Sequence, residues 1–277
     1  MSTETQWIDM PGGLGDALLL SGIIKLAHDR LGKKYNVIRR TISAEMLAGH
    51  PGIERIDYLQ KGAPVMTVAG MDEESHPRAF QRLAKMFGLE LPAPETLYLP
   101  LDGISDAMPA SLIPWRTKNV AIAPDSASPR KMMSRSKWDQ VAKALGDSGA
   151  LVVQFGKGGA EKVKHAYSLA GITTPKEAVM LLKRMDLLIT SDNFLMHAAH
   201  MTGTPTISLW GSADAALNGY PEHQKITAVL RHEPTNSEAR PGAGLSSPEQ
   251  SSCMDNIDTN EIVDRALKSL ASGRDKK

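Results

Sequence analysis

The chain has 277 residues, 42% hydrophobic and 23% charged, which is typical of one large or two ordinary globular domains. Its net charge of +1 argues against a nucleic-acid-binding protein, and its single cysteine excludes an intramolecular disulfide. The N-terminus does not resemble a signal peptide, and no apolar run approaches the roughly 20 residues that span a bilayer. We therefore expect a cytoplasmic protein, with a peripheral membrane role left open.

Strands and helices alternate along the first part of the sequence. A short strand, Gln6–Met10, precedes a Gly-rich turn and an amphipathic helix that ends near Leu31. Residues Gly103–Lys118 contain two prolines without clear periodicity and are predicted to form an interdomain linker. The other predicted elements here are the strands Tyr35–Arg39, Arg55–Leu59, Val65–Ala69 and Leu97–Leu101 and the helix Pro77–Phe87.

The same alternation starts again after the predicted linker. Predicted strands are Asn119–Ala123, Ala150–Phe155, Leu187–Thr190, Pro205–Trp210 and Ile226–Leu230. Predicted helices are Ser136–Leu145, Ala160–Leu169, Pro175–Arg184, Asn193–Met201 and Thr259–Leu270, and 232–252 is predicted as a long loop. The pattern predicts an α/β fold of two doubly wound, Rossmann-like domains facing a cleft, residues 1–115 and 116–277.

The segment from Ser191 to Tyr220 carries the strongest functional signal. Asp192 follows an apolar strand, Asn193 starts a helix, and His197 lies one turn further along that helix. Parallel sheets bind ligands at the carboxyl ends of their strands, and a helix N-terminus favours phosphate. This arrangement points to a sugar nucleotide, although a lone histidine on a helix is more often structural.

A second candidate is the glycine-rich turn Gly12-Gly13-Leu14-Gly15, which precedes Asp16. The GxGxxG spacing of a dinucleotide fingerprint is absent. Asp16 at the start of the helix is explained equally well as a carboxylate that stabilises the helix dipole or as a catalytic group.

Two further strand-to-loop segments contain candidate ligand groups. Lys131 lies in a loop of small residues and further cations that would suit a diphosphate, although a solvated basic loop also explains it. Glu161 follows the glycines that begin at Gly156 and could accept hydrogen bonds from ribose hydroxyls, or simply start a helix.

Taken in order, these segments resemble glycosyltransferase family 9, the ADP-heptose:lipopolysaccharide heptosyltransferases. The motifs that carry the resemblance are GDALLL, SPRKMM, FGKGGAE, SDNFLMHAA, GTPTISLWG and CMDNI, within residues 8–268. The resemblance implies a GT-B fold and transfer of a heptose or related sugar, with inversion, from a nucleotide-diphosphate donor. It implies ADP-heptose as donor, a glycan or glycolipid acceptor such as lipopolysaccharide core, and no essential metal or other cofactor. An acceptor of this kind would bring the protein to the inner membrane.

The resemblance also implies roles for individual residues. Asp16 would be the general base, Lys131 would neutralise the diphosphate, Glu161 would hold the ribose and Asp192 the sugar hydroxyls. Amides around Asn193 would contact the diphosphate or sugar. The expected donor-binding residues are Gly13, Gly15, Ser128, Lys131, Gly156, Glu161, Asp192, Asn193, Phe194 and His197.

The sequence departs from the family pattern at several points. The N-terminal half is short, Asp125 replaces a usual glycine, and Ala213 stands where threonine is common. Two other functions therefore stay open: a sugar-nucleotide epimerase or hydrolase of similar fold, and a non-catalytic protein that binds a sugar nucleotide.

Overall fold

The computed structural model describes residues 5–10, 12–39, 42–59, 63–68, 76–90, 97–228 and 250–273. Most of the predicted 232–252 loop lies outside these ranges. The chain divides into two compact units, Met1–Gly103 and Ile104–Lys277. Each unit contains a parallel sheet with helices, which confirms the predicted α/β, Rossmann-like fold class. Within the described ranges, no helix is both long and apolar enough to cross a membrane.

The first unit is built on a four-stranded parallel sheet with the order β3-β2-β1-β4. Its strands are β1 (Trp7–Asp9), β2 (Tyr35–Ile38), β3 (Ile53–Asp57) and β4 (Val65–Thr67). Its helices are α1 (Leu14–Leu31), α2 (Ile42–Glu45) and α3 (His76–Met86). Helix α1 buries a run of apolar residues that begins at Ala17, and it ends at Gly32, whose φ of 64° a glycine adopts without strain.

The second unit is built on a six-stranded parallel sheet with the order β10-β9-β8-β5-β6-β7. Its strands are β5 (Asn119–Ala123), β6 (Leu151–Gln154), β7 (Tyr167–Ser168), β8 (Leu187–Ser191), β9 (Thr206–Trp210) and β10 (Gln224–Thr227). Its helices are α4 (Ala107–Leu112), α5 (Arg135–Asp147), α6 (Pro175–Leu182), α7 (Phe194–Thr202), α8 (Ala215–Asn218) and α9 (Thr259–Ser272). Strands β5, β8 and β9 are buried along their whole length, as expected for a parallel sheet covered on both faces.

The order of the strands places β5 beside β8 at a switch point. From β5 the chain adds β6 and β7 on one side, then returns to add β8, β9 and β10 on the other. Ala123, the last residue of β5, pairs with Thr190 near the end of β8. Loops that leave adjacent strands in opposite directions open a crevice at their carboxyl ends, where α/β proteins bind ligands.

The predicted linker Gly103–Lys118 is, after its first residue, part of the second unit. It contains α4, and the Trp115 indole donates a hydrogen bond to the Ala110 carbonyl at 2.9 Å. The Arg184 guanidinium lies 4.5 Å from the centroid of the Trp115 ring and pairs with Asp106 at 3.2 Å. These contacts explain why the two units divide at Gly103 rather than between residues 115 and 116.

Two predicted elements differ in the structure. The predicted helix Ala160–Leu169 is an irregular segment followed by β7, because the Gln154 side chain holds its backbone. Gln154 donates to the Glu161 carbonyl at 2.9 Å and accepts from the Val163 amide at 2.9 Å. The predicted strand Leu97–Leu101 has no regular structure, since Pro100 lacks the amide hydrogen that a ladder requires.

Candidate functional site

An ion pair joins the carboxyl ends of β5 and β8. Lys131 ends the 3-10 turn Pro129–Lys131, which follows β5, and Asp192 directly follows β8. Lys131 Nζ lies 2.6 Å from Asp192 Oδ2, and the two side chains are 41% and 9% exposed. The Ser126 hydroxyl donates to the Asp192 carbonyl at 3.0 Å. The lysine and the carboxylate that the sequence predicts for donor binding therefore lie together at the switch point.

Asn193 fastens helix α7 to the end of β5. Its side-chain amide donates to the carbonyls of Ala123 at 3.2 Å and Asp125 at 2.9 Å. Its side-chain oxygen accepts from the Leu195 amide at 3.0 Å and from the Thr190 hydroxyl at 3.1 Å. The side chain thus works within the protein as an N-cap and as a cross-strand tie. It also occupies the Leu195 amide, which a phosphate would otherwise find free.

His197 is buried within the same helix. Phe194, the first residue of α7, is half-buried, and His197 follows one turn later with only 4% of its surface exposed. Nδ1 of His197 lies 2.8 Å from the Tyr220 hydroxyl, in the segment between α8 and β10. The two rings meet edge to face, with centroids 5.7 Å apart. His197 is thus a buried side chain held by Tyr220 rather than a mobile surface group.

Arg135 links the basic loop to the glycine segment after β6. Arg135 begins α5 and donates to Asp125 at 2.8 Å, while its Nε lies 3.7 Å from a Glu161 carboxylate oxygen. A side chain at Gly156 would bring a Cβ to 3.1 Å from Asp125, so glycine allows this close packing. Glu161 is 73% exposed and is therefore accessible to hydroxyl groups of a ligand.

The last predicted motif, Cys253-Met254, packs behind the lysine loop. The Ser128 carbonyl accepts the Lys131 amide at 3.0 Å and closes the turn. A Cβ at Gly211 would lie 2.9 Å from the Cys253 sulfur and 3.0 Å from the Met254 sulfur. The cysteine and the methionine therefore support the loop from the side of the protein interior, in line with a structural role.

Asp16 lies in the first unit, where it caps its own helix. Its Oδ2 accepts from the Gly13 amide at 2.7 Å at the start of α1. A Cβ at Gly12 would lie only 2.3 Å from Asp16 Oδ2, so the turn requires glycine at that position. Gly15 is the second residue of α1. The observed role of Asp16 is thus that of a carboxylate that caps the first turn of its helix.

The second unit brings together the predicted residues that lie around the Lys131–Asp192 pair, whereas Gly13, Gly15 and Asp16 belong to the first unit. Tyr220 and the Asp125–Arg135 pair were not predicted as site residues. Tyr220 could have been suspected, because it closes the conspicuous 191–220 segment. In the part of the chain that the structure describes, no group of three or more His, Cys, Asp or Glu side chains is arranged to hold a metal ion.

Several solved structures share this fold. One is the dodecameric, iron-containing glycosyltransferase TibC from enterotoxigenic E. coli H10407. TibC is 16% identical to this chain, and the match covers 96% of this chain and 77% of TibC with a TM-score of 0.72. E. coli ADP-heptose lipopolysaccharide heptosyltransferase II matches with 15% identity, coverage of 96% and 100%, and a TM-score of 0.61. E. coli heptosyltransferase WaaC with ADP matches with 12% identity, coverage of 97% and 100%, and a TM-score of 0.59.

At these identities the structural likeness establishes the fold alone. A search of curated protein sequences finds no match. The family model described as glycosyltransferase family 9 (heptosyltransferase) matches residues 65–243, which is more than half of the chain. The chain therefore belongs to glycosyltransferase family 9, the heptosyltransferase family.

Proposed function

We propose that the protein transfers a heptose, or a closely related sugar, from an ADP-activated donor to a glycan or glycolipid acceptor such as lipopolysaccharide core. Membership in the heptosyltransferase family supports sugar transfer. Support for the donor comes from proteins of the same fold: TibC is described in complex with ADP-D-β-D-heptose and WaaC with ADP. The observation in this chain that carries the proposal is the Lys131–Asp192 pair at the switch point.

Lys131 supplies a positive charge where a diphosphate would need one. An ammonium group has three hydrogens to donate, and the contact with Asp192 uses one of them. Because 41% of the Lys131 side chain is exposed, the remaining hydrogens are accessible to phosphate oxygens. In the proposal, Lys131 stabilises the ADP that leaves as the bond between the sugar and the β-phosphate breaks.

The two carboxylates of the second unit are assigned to hydroxyl groups of the donor. Asp192, held beside Lys131, would accept hydrogen bonds from the sugar, and the exposed Glu161 would accept them from the ribose. Arg135 tethers Glu161 to the end of β5 through Asp125, so sugar and ribose would bind to parts of one connected frame. The small residue at Gly156 keeps that frame compact.

The acceptor hydroxyl must lose a proton as it attacks the anomeric carbon. Asp16 is proposed as the general base, and attack from the face opposite the departing ADP would invert the configuration at that carbon. A glycolipid acceptor would also bring the protein to the inner membrane from the cytoplasmic side. Co-sedimentation with vesicles that contain the glycolipid tests this location, and equal sedimentation with plain vesicles would contradict it.

The proposal includes no metal or cofactor, because Lys131 already provides a cation for the diphosphate. Donor binding and transfer should therefore persist after dialysis against EDTA. Loss of transfer in EDTA and its return on addition of one divalent metal would overturn this part of the proposal.

A donor screen tests the function as a whole. ADP-, GDP- and UDP-sugars are mixed with the protein, with and without bacterial glycolipid, and binding and nucleotide release are measured. Release of ADP from ADP-heptose that depends on glycolipid supports the transferase. Release or epimerisation without an acceptor would favour the epimerase or hydrolase alternative, and binding without turnover would favour a non-catalytic binding protein.

A further inference from the structure

Tyr220 lies at the centre of a cluster of rings formed by His197, His200 and His223. It is 5% exposed, although it belongs to the short segment between α8 and β10. Its hydroxyl lies 2.8 Å from His197 Nδ1, which connects it to helix α7. A buried tyrosine whose hydroxyl meets a histidine at a predicted ligand site can act on a ligand through that histidine.

The Tyr220 ring is held from several sides. The His200 ring stacks on it with centroids 3.9 Å apart and an angle of 9°, and the His223 ring packs against it at 5.2 Å. Nδ1 of His200 lies 2.5 Å from a Glu222 carboxylate oxygen, which fixes the stacked ring in turn. The Lys225 ammonium donates to the Tyr220 carbonyl at 2.6 Å. The position of the hydroxyl is therefore set before any ligand arrives.

The hydroxyl also stays protonated. Burial raises the pKa of Tyr220 above its ordinary value, and the negative charges of Asp192 and Glu222 raise it further. A phenol that keeps its proton can donate it to His197 Nδ1, which leaves the proton of the imidazole ring on Nε2.

We propose that Tyr220 is a positioning residue of the donor site, which fixes the orientation and the protonated nitrogen of His197 through its hydroxyl. This inference rests on the proposed function, because it requires that His197 contacts the donor. The partner of a histidine nitrogen determines which ring nitrogen carries the proton. Tyr220 would therefore determine how His197 meets the diphosphate or the sugar without touching either.

A double-mutant cycle tests this proposal in the full-length protein. ADP affinity is measured by calorimetry for the wild type, Tyr220→Phe, His197→Leu and the double variant. Loss of one hydrogen bond should weaken ADP binding about three- to tenfold in Tyr220→Phe. The same change made in the His197→Leu background should cause no further loss, because Tyr220 acts through His197. Tyr35→Phe, a buried tyrosine of the first unit, serves as the control and should bind ADP like the wild type.

The outcomes separate this inference from the proposed function. If the wild type binds neither ADP nor ADP-heptose, the proposed function fails, and this inference fails with it. If the wild type binds ADP and Tyr220→Phe binds it equally well, only the positioning role is wrong. The same holds if Tyr220→Phe lowers ADP affinity by the same factor in the wild type and in His197→Leu.

A second measurement reads the tautomer of His197 directly in the wild-type protein. In a histidine-labelled wild-type protein, long-range proton–nitrogen spectra should show His197 in a single form, assigned by its absence from His197→Leu. Exposed His165 provides the internal standard for a ring that exchanges between tautomers. A His197 signal that averages in the same way as His165 would overturn the inference.

Discussion

The two units present their predicted site residues in different ways. In the second unit, Lys131, Asp192 and Asn193 lie on segments that follow different strands and contact one another across the sheet edge. In the first unit, Asp16 accepts from the Gly13 amide of its own helix turn, three residues away, and the Ser43 hydroxyl donates to the Gly12 carbonyl of the same turn at 3.2 Å. The bond from the Gly13 amide to Asp16 is local, whereas the contacts that join Lys131, Asp192 and Asn193 are tertiary.

This difference suggests a division of labour. Binding a nucleotide sugar requires many groups at fixed distances, and a network that spans two strands and two helices supplies them before the ligand arrives. A general base requires one carboxylate with access to one hydroxyl, and a helix turn is sufficient to orient it. Substitutions in the second unit should therefore affect stability and nucleotide affinity together, while substitution of Asp16 should affect transfer alone.

The strongest test of this division is Asp16→Asn. Asparagine keeps the size of aspartate and much of its capping ability, so stability and ADP affinity should stay close to those of the wild type. Transfer to the acceptor should fall by a factor on the order of 10²–10⁴, the usual contribution of a general base. Initial rates with ADP-heptose and the identified acceptor, together with a thermal melt, measure both effects.

Glu177→Gln is a matched control, because Glu177 lies at the third position of α6, as Asp16 does in α1, and accepts from the amide of its N-cap residue, Thr174, at 2.8 Å. It should change stability as little as Asp16→Asn does and leave transfer intact. Near-normal transfer by Asp16→Asn would show that Asp16 only caps its helix and is not the general base.

The largest loss of ADP affinity is expected for Lys131→Ala. Loss of a charge-assisted contact with the diphosphate should weaken ADP binding by about 1.5–3 kcal/mol. The change also leaves Asp192, which is 9% exposed, without its cation, so the free energy of unfolding should fall as well. Calorimetry with ADP and urea denaturation measure the two effects separately.

Two further variants separate binding from folding at Lys131. Adding Asp192→Asn to Lys131→Ala removes the unpaired carboxylate, so it should recover stability without recovering ADP affinity. Lys143→Ala removes an exposed ion pair with Asp147 on α5 and should alter neither quantity appreciably. Unchanged ADP affinity in Lys131→Ala would show that the diphosphate binds elsewhere.

Asn193→Ala tests how much the hydrogen bonds between helix α7 and the end of β5 stabilise the second unit. It removes a helix cap and the hydrogen bonds to the carbonyls of Ala123 and Asp125, so we expect a loss of about 2–4 kcal/mol in stability. Asp258→Ala, which removes only the cap contact with the Asn260 amide of α9, should cost about 1 kcal/mol. Equal losses in urea denaturation would show that the cross-strand bonds of Asn193 contribute little.

Much of the fold follows from local sequence signals. Helix α7 was predicted at Asn193–Met201 and is observed at Phe194–Thr202, because an N-cap asparagine and a terminal glycine mark its ends. The helix predicted at Ala160–Leu169 was wrong, since side chains distant in sequence determine that segment. In addition to Gln154, Asp139 accepts the Lys164 amide at 2.7 Å. Contacts of this kind produce no periodic pattern of residues, so they cannot be read from the sequence.

The site was predictable only to the level of single residues. The position of Lys131 and Asp192 after strands indicated that both lie at one sheet edge, but their mutual contact depends on β5 and β8 being neighbours. The role of Asn193 as a tie and the contact of Tyr220 with His197 likewise need the three-dimensional fold. Strand order in a doubly wound sheet is not written in local patterns, so these pairings could not be predicted.

The last comparison concerns one buried histidine in each unit. Burial lowers the pKa of His50 and of His223 to about 4 in both cases. His50 donates to the Ser21 carbonyl and accepts the Gly52 amide, both at 3.0 Å. Neither ring nitrogen of His223 has a hydrogen-bond partner among the described residues, and its Nε2 lies 3.5 Å from a Glu222 carboxylate oxygen. The two histidines therefore share a shifted pKa but differ in what they contribute at neutral pH.

Because both folded-state pKa values lie below the ordinary 6.5, the unfolded chain binds protons first as the pH falls. Each histidine should thus leave stability intact above about pH 6.5 and lower it between there and about pH 4, by up to roughly 3 kcal/mol. At pH 7.5, His223→Leu should change stability by less than about 1 kcal/mol, whereas His50→Leu should cost about 2–3 kcal/mol through its two lost bonds. Hydrogen exchange read on peptides of each unit, at pH 7.5 and pH 5, measures these effects locally. If His223→Leu proved as costly as His50→Leu at pH 7.5, the buried nitrogens of His223 would have to be bonded, and the contrast between the two units would disappear.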